Sequence, residues 1–254
     1  MSTTTLILIY LGVALVGSMV PFLRSYFAHF HNLVNLVISA CLEGGKIHLY
    51  QDGSGQTTGS AVSPFKRALI SYAGYTGASV AAIGLLYLVL KGHYHLVVYL
   101  YLGLSVVALL LWIRNAFGVI WGLSTAVLLA LPVFFRYDNV LVLPVNVNLE
   151  TVLVHIGIFL ASVLFVQSMI GAVQVCRQAF MSRSNPKRKA ALVQTKFIPA
   201  VVLGIILFGQ TVLAGYYFAL NFISLPFSWD MDLPNQLLAA KDVIWSTVSG
   251  SLRQ

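Results

Sequence analysis

The sequence is poor in charged residues: Asp, Glu, Lys and Arg make up 9% of its 254 residues, whereas 59% are hydrophobic. Soluble proteins carry about 25% charged residues, so this scarcity excludes an ordinary soluble domain. The sequence has only two cysteines, Cys41 and Cys176, far apart and in or at the end of apolar stretches. We expect buried free thiols, which say little about the redox compartment.

The first apolar stretch lacks the basic residues that precede the core of a signal peptide, so we expect it to be retained as a helix. Continuous apolar runs without alternation predict helices rather than barrel strands. Each run is near the roughly 20 residues that cross a bilayer. The sequence therefore predicts an all-α polytopic membrane protein, one domain over 1–254, with about seven transmembrane helices near 5–23, 25–42, 68–90, 96–113, 116–135, 151–175 and 197–222.

The net charge of +8 does not indicate a nucleic-acid partner, because the basic residues are grouped as membrane topology requires. Six of the 15 Lys and Arg residues lie between the sixth and seventh windows. With seven spans, ten basic residues fall on the side of this loop and five on the other side. The positive-inside rule then predicts a cytoplasmic N-terminus, a cytoplasmic 176–196 loop and an external C-terminus.

A β-hairpin is predicted between the second and third helices, over residues 46–59. Ile47 and Leu49 alternate with His48 and Tyr50, and Asp52-Gly53 supplies the positive-φ turn that a tight hairpin requires. Strand backbone at membrane depth must be covered by protein or line a polar cavity, since lipid cannot satisfy its amides. The alternative is a polar loop folded on the surface.

Small residues recur every four positions in the third window, which predicts close packing against another helix or leaves space for a substrate or the hairpin. They are Ala73, Gly77 and Ala81, and Gly74, Ala78 and Ala82. Three polar residues in the last two windows are expected to make interhelical hydrogen bonds: His155, Gln167 and Gln210. Residues 224–254 have an apolar face interrupted by Lys241-Asp242, which predicts an interfacial amphipathic helix.

The second window carries an altered form of a zinc-hydrolase motif. In H-E-x-x-H, two imidazoles four residues apart bind zinc from one helix face, and the glutamate deprotonates a zinc-bound water. Here His31 is followed by Asn32 in place of the glutamate and by Asn35 in place of the second histidine. Asparagine is a poor zinc ligand and no base at neutral pH. Glu43, three helical turns further on, is too distant to replace the glutamate.

The residues around this motif resemble the membrane-embedded zinc metallopeptidases of the site-2 protease type, in their bacterial branch. The resemblance covers a core at residues 28–82 and lies in the His31 helix, Gly44-Gly45-Lys46-Ile47, the hairpin, and Ala73-Gly74-Tyr75-Thr76-Gly77. It implies a bacterial plasma-membrane protein whose partners are the lipid bilayer and a transmembrane or extended peptide segment. The implied binding residues are Gly44, Gly45, Asp52, Gly53, Gly55, Thr57, Gly74 and Gly77.

The resemblance also implies an aspartate ligand near the end of the chain, where Asp232 is the nearest match and Asp230 the alternative. The distance from His31 to Gly44 is one residue longer than in the family pattern, which allows a second register. In that register Asn32 takes the first ligand position, followed by Leu33 and Leu36. Neither register contains a complete zinc site, so we expect no bound metal and no other cofactor.

Three functions stay open on the sequence. A catalytically inactive family member would keep the helix-and-hairpin frame and bind a peptide, for which an open strand edge is a recognised mode. An active intramembrane metalloprotease would need non-standard ligands, and only this alternative brings zinc as a cofactor. The third is an unrelated transporter, channel or membrane-organising protein.

Overall fold

The computed structural model describes residues 3–59, 63–137, 149–181 and 200–222. Within them lie seven helices and one hairpin: α1 (Thr3–Gly17), α2 (Pro21–Glu43), β1 (Lys46–Leu49), β2 (Gly55–Thr58), α3 (Pro64–Leu90), α4 (Tyr94–Leu111), α5 (Ala116–Tyr137), α6 (Leu149–Met181) and α7 (Ala200–Phe222). These helices coincide with the seven apolar windows, and the predicted hairpin is confirmed. The predicted tail helix, Asp230, Asp232 and most of the 176–196 loop fall outside the described residues.

Four helical stretches are long and apolar enough to cross a membrane: Leu69–Leu90, Tyr94–Leu111, Ala116–Phe134 and Glu150–Arg177. α1 and α2 pass this test only together, as one bent pair that adds at most a fifth span. The apolar part of α7, Gly204–Leu220, is shorter. The described part of the chain is thus that of a multi-pass membrane protein with four or five candidate spans, and seven crossings stay a prediction.

A bend of 117° separates α1 from α2. Pro21 is the first residue of α2, and a proline at this position starts a helix but cannot continue the preceding one. Gly17 lets the corner close, because a Cβ there would lie 2.5 Å from the Phe27 ring. The first two apolar windows therefore form two helices, of 15 and 23 residues, that meet at an angle.

Helix α6 is the centre of the described bundle and contacts each of the other six helices. Its apolar window is 56% buried, against 28–39% in the other three candidate spans. Small and polar side chains, among them Ser162, Ser168 and Ala172, are buried along it and allow the neighbouring helices to approach closely.

The three polar residues predicted to make interhelical hydrogen bonds, His155, Gln167 and Gln210, each contact a residue of another part of the bundle. Gln167 Nε2 donates a hydrogen bond of 2.9 Å to Ser18 Oγ at the α1–α2 corner, and His155 Nδ1 lies 3.0 Å from the Tyr10 hydroxyl. Gln210 links α7 to α3 by accepting from the Tyr72 hydroxyl and donating to Thr76 Oγ1. The prediction of interhelical hydrogen bonds is confirmed. Cys41 and Cys176 are free as expected, but the prediction that they are buried is wrong: Cys41 is exposed and Cys176 is half-buried.

The small residues of α3 form its contact with α2. A Cβ at Gly74 would lie 2.1 Å from Asn35 Oδ1, and one at Gly77 would lie 2.3 Å from Ile38 Cδ1. Ala78 and Ala82 are fully buried. This contact confirms the helix-packing interpretation, and the two helices approach too closely at the glycines to leave space for a ligand there.

The hairpin pairs its strands antiparallel, with Lys46 opposite Thr58 and Leu49 opposite Gly55. Gly44 ends α2 in the left-handed region at φ 70°, and Gly53 holds the turn at φ 83°. Gly45 is needed for close approach, since a Cβ there would lie 2.8 Å from the Thr58 carbonyl oxygen. Ile47 and Leu49 are fully buried, so the alternation in β1 correctly predicted its inward face.

Replacing Gly74 with Ala should destabilise the protein by about 1–3 kcal/mol, because the new methyl group overlaps Asn35 and the α2 backbone. Gly84→Ala, on the same helix, is the matched control: its Cβ would meet no atom within 4 Å. Gly84→Ala should leave the free energy of unfolding unchanged or raise it slightly, since alanine is more favourable than glycine in a helix by about 1 kcal/mol. Thermal unfolding in detergent measures both, and equal melting temperatures for the two variants would contradict this packing.

Candidate functional site around His31

His31 is buried inside the bundle at the contact of α2 with α3 and α6. Its side chain is 4% exposed, and its ring centroid lies 5.6 Å from that of Tyr75. A Cβ added to Gly171 would lie 3.4 Å from His31 Cε1, so α6 passes close to the ring. Nε2 of His31 has no hydrogen-bond partner. The site thus holds an imidazole nitrogen that faces other helices rather than lipid headgroups.

Asn35 lies one turn after His31 and faces α3 as well, next to Gly74. The i, i+4 spacing therefore places both side chains toward α3, as the sequence predicted. His29 points elsewhere: its ring packs at 5.5 Å from Phe117 and 5.4 Å from Trp121 on α5. His29 and His31 therefore lie on different faces of α2.

Asn32 fastens the hairpin turn to α2. Its side-chain Nδ2 donates a hydrogen bond of 2.8 Å to the carbonyl oxygen of Gly53. A glutamate in this position has no N–H to donate and would place a carboxylate against a carbonyl. The Asn32 amide therefore has a structural role here.

A polar cavity of about 70 Å³ adjoins His31. His31, Asn32 and Gly53 line one side, and Tyr75 lines another. The α6 side is formed by Gln167, Gly171 and Gln174. Gln174 was missed in the sequence, although it lies seven residues after Gln167 and so on the same helix face. The cavity has room for a few water molecules, whose share of liquid volume is about 30 Å³ each.

The side chains around His31 do not fit a zinc ion. Among the described residues, no three His, Cys, Asp or Glu side chains are close enough to hold a metal together. The other polar side chains at this cavity are the amides of Asn32, Gln167 and Gln174, the hydroxyls of Ser18 and Tyr75, and the Arg24 guanidinium. None of these is a usual zinc ligand, and the positive charge of Arg24 disfavours a bound cation. Glu43 accepts a hydrogen bond from Thr57 at the far end of α2, about 18 Å from His31 by helical rise. Asp232 and Asp230 are outside the described residues.

The predicted binding residues of the hairpin are held in place by local contacts. Asp52 Oδ1 accepts hydrogen bonds from Ser54 Oγ at 2.6 Å and Ser54 N at 2.9 Å, and these bonds lower the pKa of the Asp52 carboxyl. Gly55 packs directly against α2, because a Cβ added to it would lie 2.6 Å from Leu36 Cδ1. Thr57 Oγ1 donates to Glu43 Oε2 at 3.1 Å.

The outer edge of β1 is already paired. Ile47 N donates to the Trp112 carbonyl at 2.8 Å, and Arg114 N donates to the Ile47 carbonyl at 3.2 Å. The Asn115 side chain continues this pairing, because it bonds both the N–H and the carbonyl of Leu49. The link between α4 and α5 therefore covers β1, and the expected open hairpin edge does not lie on this strand.

The outer edge of β2 carries backbone groups that form no backbone hydrogen bond with any residue in 3–59, 63–137, 149–181 or 200–222. Because Ile47 directs its N–H and carbonyl toward residues 112–114, its β2 partner Thr57 belongs to a non-hydrogen-bonded pair. Leu49 and Gly55 form a second non-hydrogen-bonded pair, because Leu49 directs its N–H and carbonyl toward the Asn115 side chain. The backbone groups of Gly55 and Thr57 thus point away from β1, at a strand edge that no described strand occupies.

Asn32→Ala should loosen the hairpin turn by about 1 kcal/mol, the usual contribution of a neutral hydrogen bond. Amide hydrogen exchange of residues 52–55 should become faster, whereas exchange in α6 should stay unchanged. Asn32→Asp keeps the shape but removes the N–H donor, so it should loosen the turn at least as much. Native exchange rates at the turn in Asn32→Asp would show that the bond to Gly53 does not hold it.

A comparison with models of known protein families identifies the family of this chain. The family model described as Peptidase M50B-like matches residues 31–216, which include His31, the hairpin, helices α3 to α6 and most of α7. No curated protein and no solved structure matches the chain. The match covers well over half of the chain, and it agrees with the resemblance seen in the sequence. The chain therefore belongs to the Peptidase M50B-like family of membrane proteins of the site-2 protease type.

Proposed function

We propose that this chain is a catalytically inactive member of its family that binds an extended peptide segment along β2. The observation that carries the proposal is the pairing of β1 on both sides, which leaves Gly55 and Thr57 at an open strand edge. Such an edge binds peptides by main-chain hydrogen bonds and needs no metal.

The position of β2 supports this role. β1 separates β2 from the α4–α5 link, so the open edge faces away from α5. The hairpin turn at Gly53 borders the polar cavity at His31. A segment paired with β2 would therefore end beside that cavity, whose amide groups can bond its backbone. Unpaired strand amides are costly in lipid, which further favours an occupant for this edge.

The absence of hydrolysis follows from the chemistry around His31. Activating a zinc-bound water requires several ligands and a general base, and the motif positions Asn32 and Asn35 supply neither a second imidazole nor a carboxylate. For the whole chain we propose seven crossings of a bacterial plasma membrane, with the N-terminus and the 176–196 loop in the cytoplasm and the C-terminus outside. The distribution of Lys and Arg supports this orientation.

Replacing Thr57 with Pro should weaken peptide binding about tenfold or more, because it removes an outward N–H and its hydrogen bond. Thr57→Val is the matched control, since it loses the hydroxyl bond to Glu43 but keeps the N–H. A photo-crosslinking amino acid in place of the exposed Gln56 detects a peptide bound along β2 in native membranes. The same photo-crosslinking amino acid in place of Arg114 is the control, because Arg114 lies beside the edge of β1 that is already paired.

We expect peptide adducts at Gln56 that persist in Thr57→Val and are lost in Thr57→Pro, with none at Arg114. Mass spectrometry of the adducts identifies the bound segment. Adducts with lipid alone, or peptide adducts that Thr57→Pro leaves unchanged, would rule out binding along β2.

Metal analysis tests the proposed inactivity separately. The detergent-purified chain should contain far less than one zinc per molecule even after exposure to zinc, because His31 lacks a second imidazole partner in the motif. His31→Ala and Asp232→Ala should leave this content unchanged. One tightly held zinc per chain that either substitution removes would restore the metalloprotease alternative.

A further inference from the structure

The polar cavity at His31 has a cation at its mouth. Arg24, near the N-terminus of α2, lines the cavity, and its side chain is exposed, so a ligand can reach it from outside the bundle. The Arg24 guanidinium forms no hydrogen bond or ion pair with any residue of the described ranges. Among the described residues that line the cavity, none is acidic. This part of the chain therefore supplies a positive charge at the cavity without a counter-charge.

The start of α2 adds to this positive potential. Its N-cap residue, Val20, makes no side-chain hydrogen bond to the helix, and the first turn of α2 contains no acidic residue. The N-terminus of a helix is the positive end of its dipole, which disfavours a cation and favours an anion. Asp52, which precedes Gly53, does not line the cavity, and its Oδ1 accepts two hydrogen bonds from Ser54. The surroundings of Arg24 thus favour an anionic ligand.

A second side chain at the cavity can donate hydrogen bonds to such a ligand. Gln174 on α6 lines the cavity, is exposed, and forms no hydrogen bond with a described residue. Its amide offers N–H donors, and the planar guanidinium of Arg24 offers a fork of two N–H donors that matches a carboxylate. A volume of about 70 Å³ equals that of about two water molecules, so the cavity admits a carboxylate group.

The hairpin directs one end of a bound peptide to this cavity. The outward backbone groups of β2 belong to Gly55 and Thr57, and Gly53 of the preceding turn lines the cavity. A segment that pairs antiparallel with β2 passes Thr57 first and Gly55 second, so its C-terminal end continues toward Gly53. Two strand residues span about 7 Å, so a carboxylate one or two residues beyond Gly55 comes level with the cavity.

We propose that the cavity at His31 binds a carboxylate at the C-terminal end of the peptide segment paired with β2, with Arg24 as its ion-pair partner. This proposal rests on the proposed binding of a peptide along β2 and adds the chemical group by which that peptide is recognised. The carboxylate is the terminus of the bound chain or an acidic side chain directly after the paired stretch, and both present the same two oxygens to Arg24.

Four synthetic pentapeptides test the proposal on the full chain in phosphatidylcholine nanodiscs, by equilibrium dialysis against empty nanodiscs. Acetyl-VTVTV with a free C-terminal carboxylate is compared with its C-terminal amide. Acetyl-VTVTD amide moves the carboxylate to the last side chain, and succinyl-VTVTV amide moves it to the N-terminal end. The free acid, the VTVTD peptide or both should bind at least about tenfold more tightly than the other two, because only they bring a negative charge to Arg24. Tight binding of one of them alone identifies the source of the carboxylate.

Substitutions in the protein locate the bound carboxylate. Arg24→Gln should lower the affinity of the tight-binding peptide to that of the VTVTV amide, with an unchanged melting temperature because Arg24 is exposed. Arg24→Lys keeps the charge but loses the fork of donors, so it should retain part of the difference. Lys46→Gln is the matched control: it removes an exposed charge at the other end of the hairpin and should leave all four affinities unchanged.

Equal affinities of all four peptides that Thr57→Pro abolishes would overturn the carboxylate site but leave peptide binding along β2 in place. The carboxylate site would also be overturned if Arg24→Gln left the tight binding unchanged, or if the succinyl peptide bound as tightly as the free acid. Tight binding that Arg24→Gln reduces and Thr57→Pro leaves unchanged would contradict the placement along β2. Uptake of all four peptides no greater than by empty nanodiscs would overturn both proposals.

Discussion

The pairing of β1 on both of its sides is the constraint on which the rest of the site depends. A strand amide that faces lipid must have a hydrogen-bond partner within the protein, because lipid offers none. β2 satisfies one side, and Trp112, Arg114 and Asn115 satisfy the other. This arrangement fixes the hairpin between α2 and the α4–α5 link, and among the described residues it leaves the backbone groups on the outer edge of β2 without a strand partner. Asn32 connects the hairpin turn to α2 and so forms part of the scaffold.

The two faces of α2 have opposite chemistry. His31 faces a small polar cavity between α3 and α6, whereas His29 faces a larger aromatic cavity against α5. Two histidines only two residues apart therefore lie beside different cavities, because a helix turns about 200° over that separation. Two amides, Asn32 and Asn35, stand at the motif positions that follow His31. Amides suit hydrogen bonding to a backbone, as Asn32 shows, and are unsuited to activating water.

Much of the fold was predictable from local patterns. Alternation at Ile47 and Leu49, with Asp52-Gly53 after them, predicted the hairpin, and the small-residue spacing of α3 predicted its contact with α2. The corner between α1 and α2 was not predicted as a 117° bend, since apolar length alone does not distinguish one span from two angled helices. The pairing of β1 with the α4–α5 link was not predicted for a different reason. The Asn115 side-chain amide bonds the Leu49 backbone as a neighbouring strand would, and nothing in the residues around Asn115 indicates a partner 66 positions earlier.

The central claim is that the hairpin has one covered edge and one open edge. Residue-resolved amide hydrogen exchange of the isolated protein in nanodiscs tests it most directly. The amides of Ile47 and Leu49 should exchange slowly, because Trp112 and Asn115 accept from them, while those of Gly55 and Thr57 should exchange fast. A Thr57 amide as protected as that of Ile47, in the absence of any partner, would contradict the account.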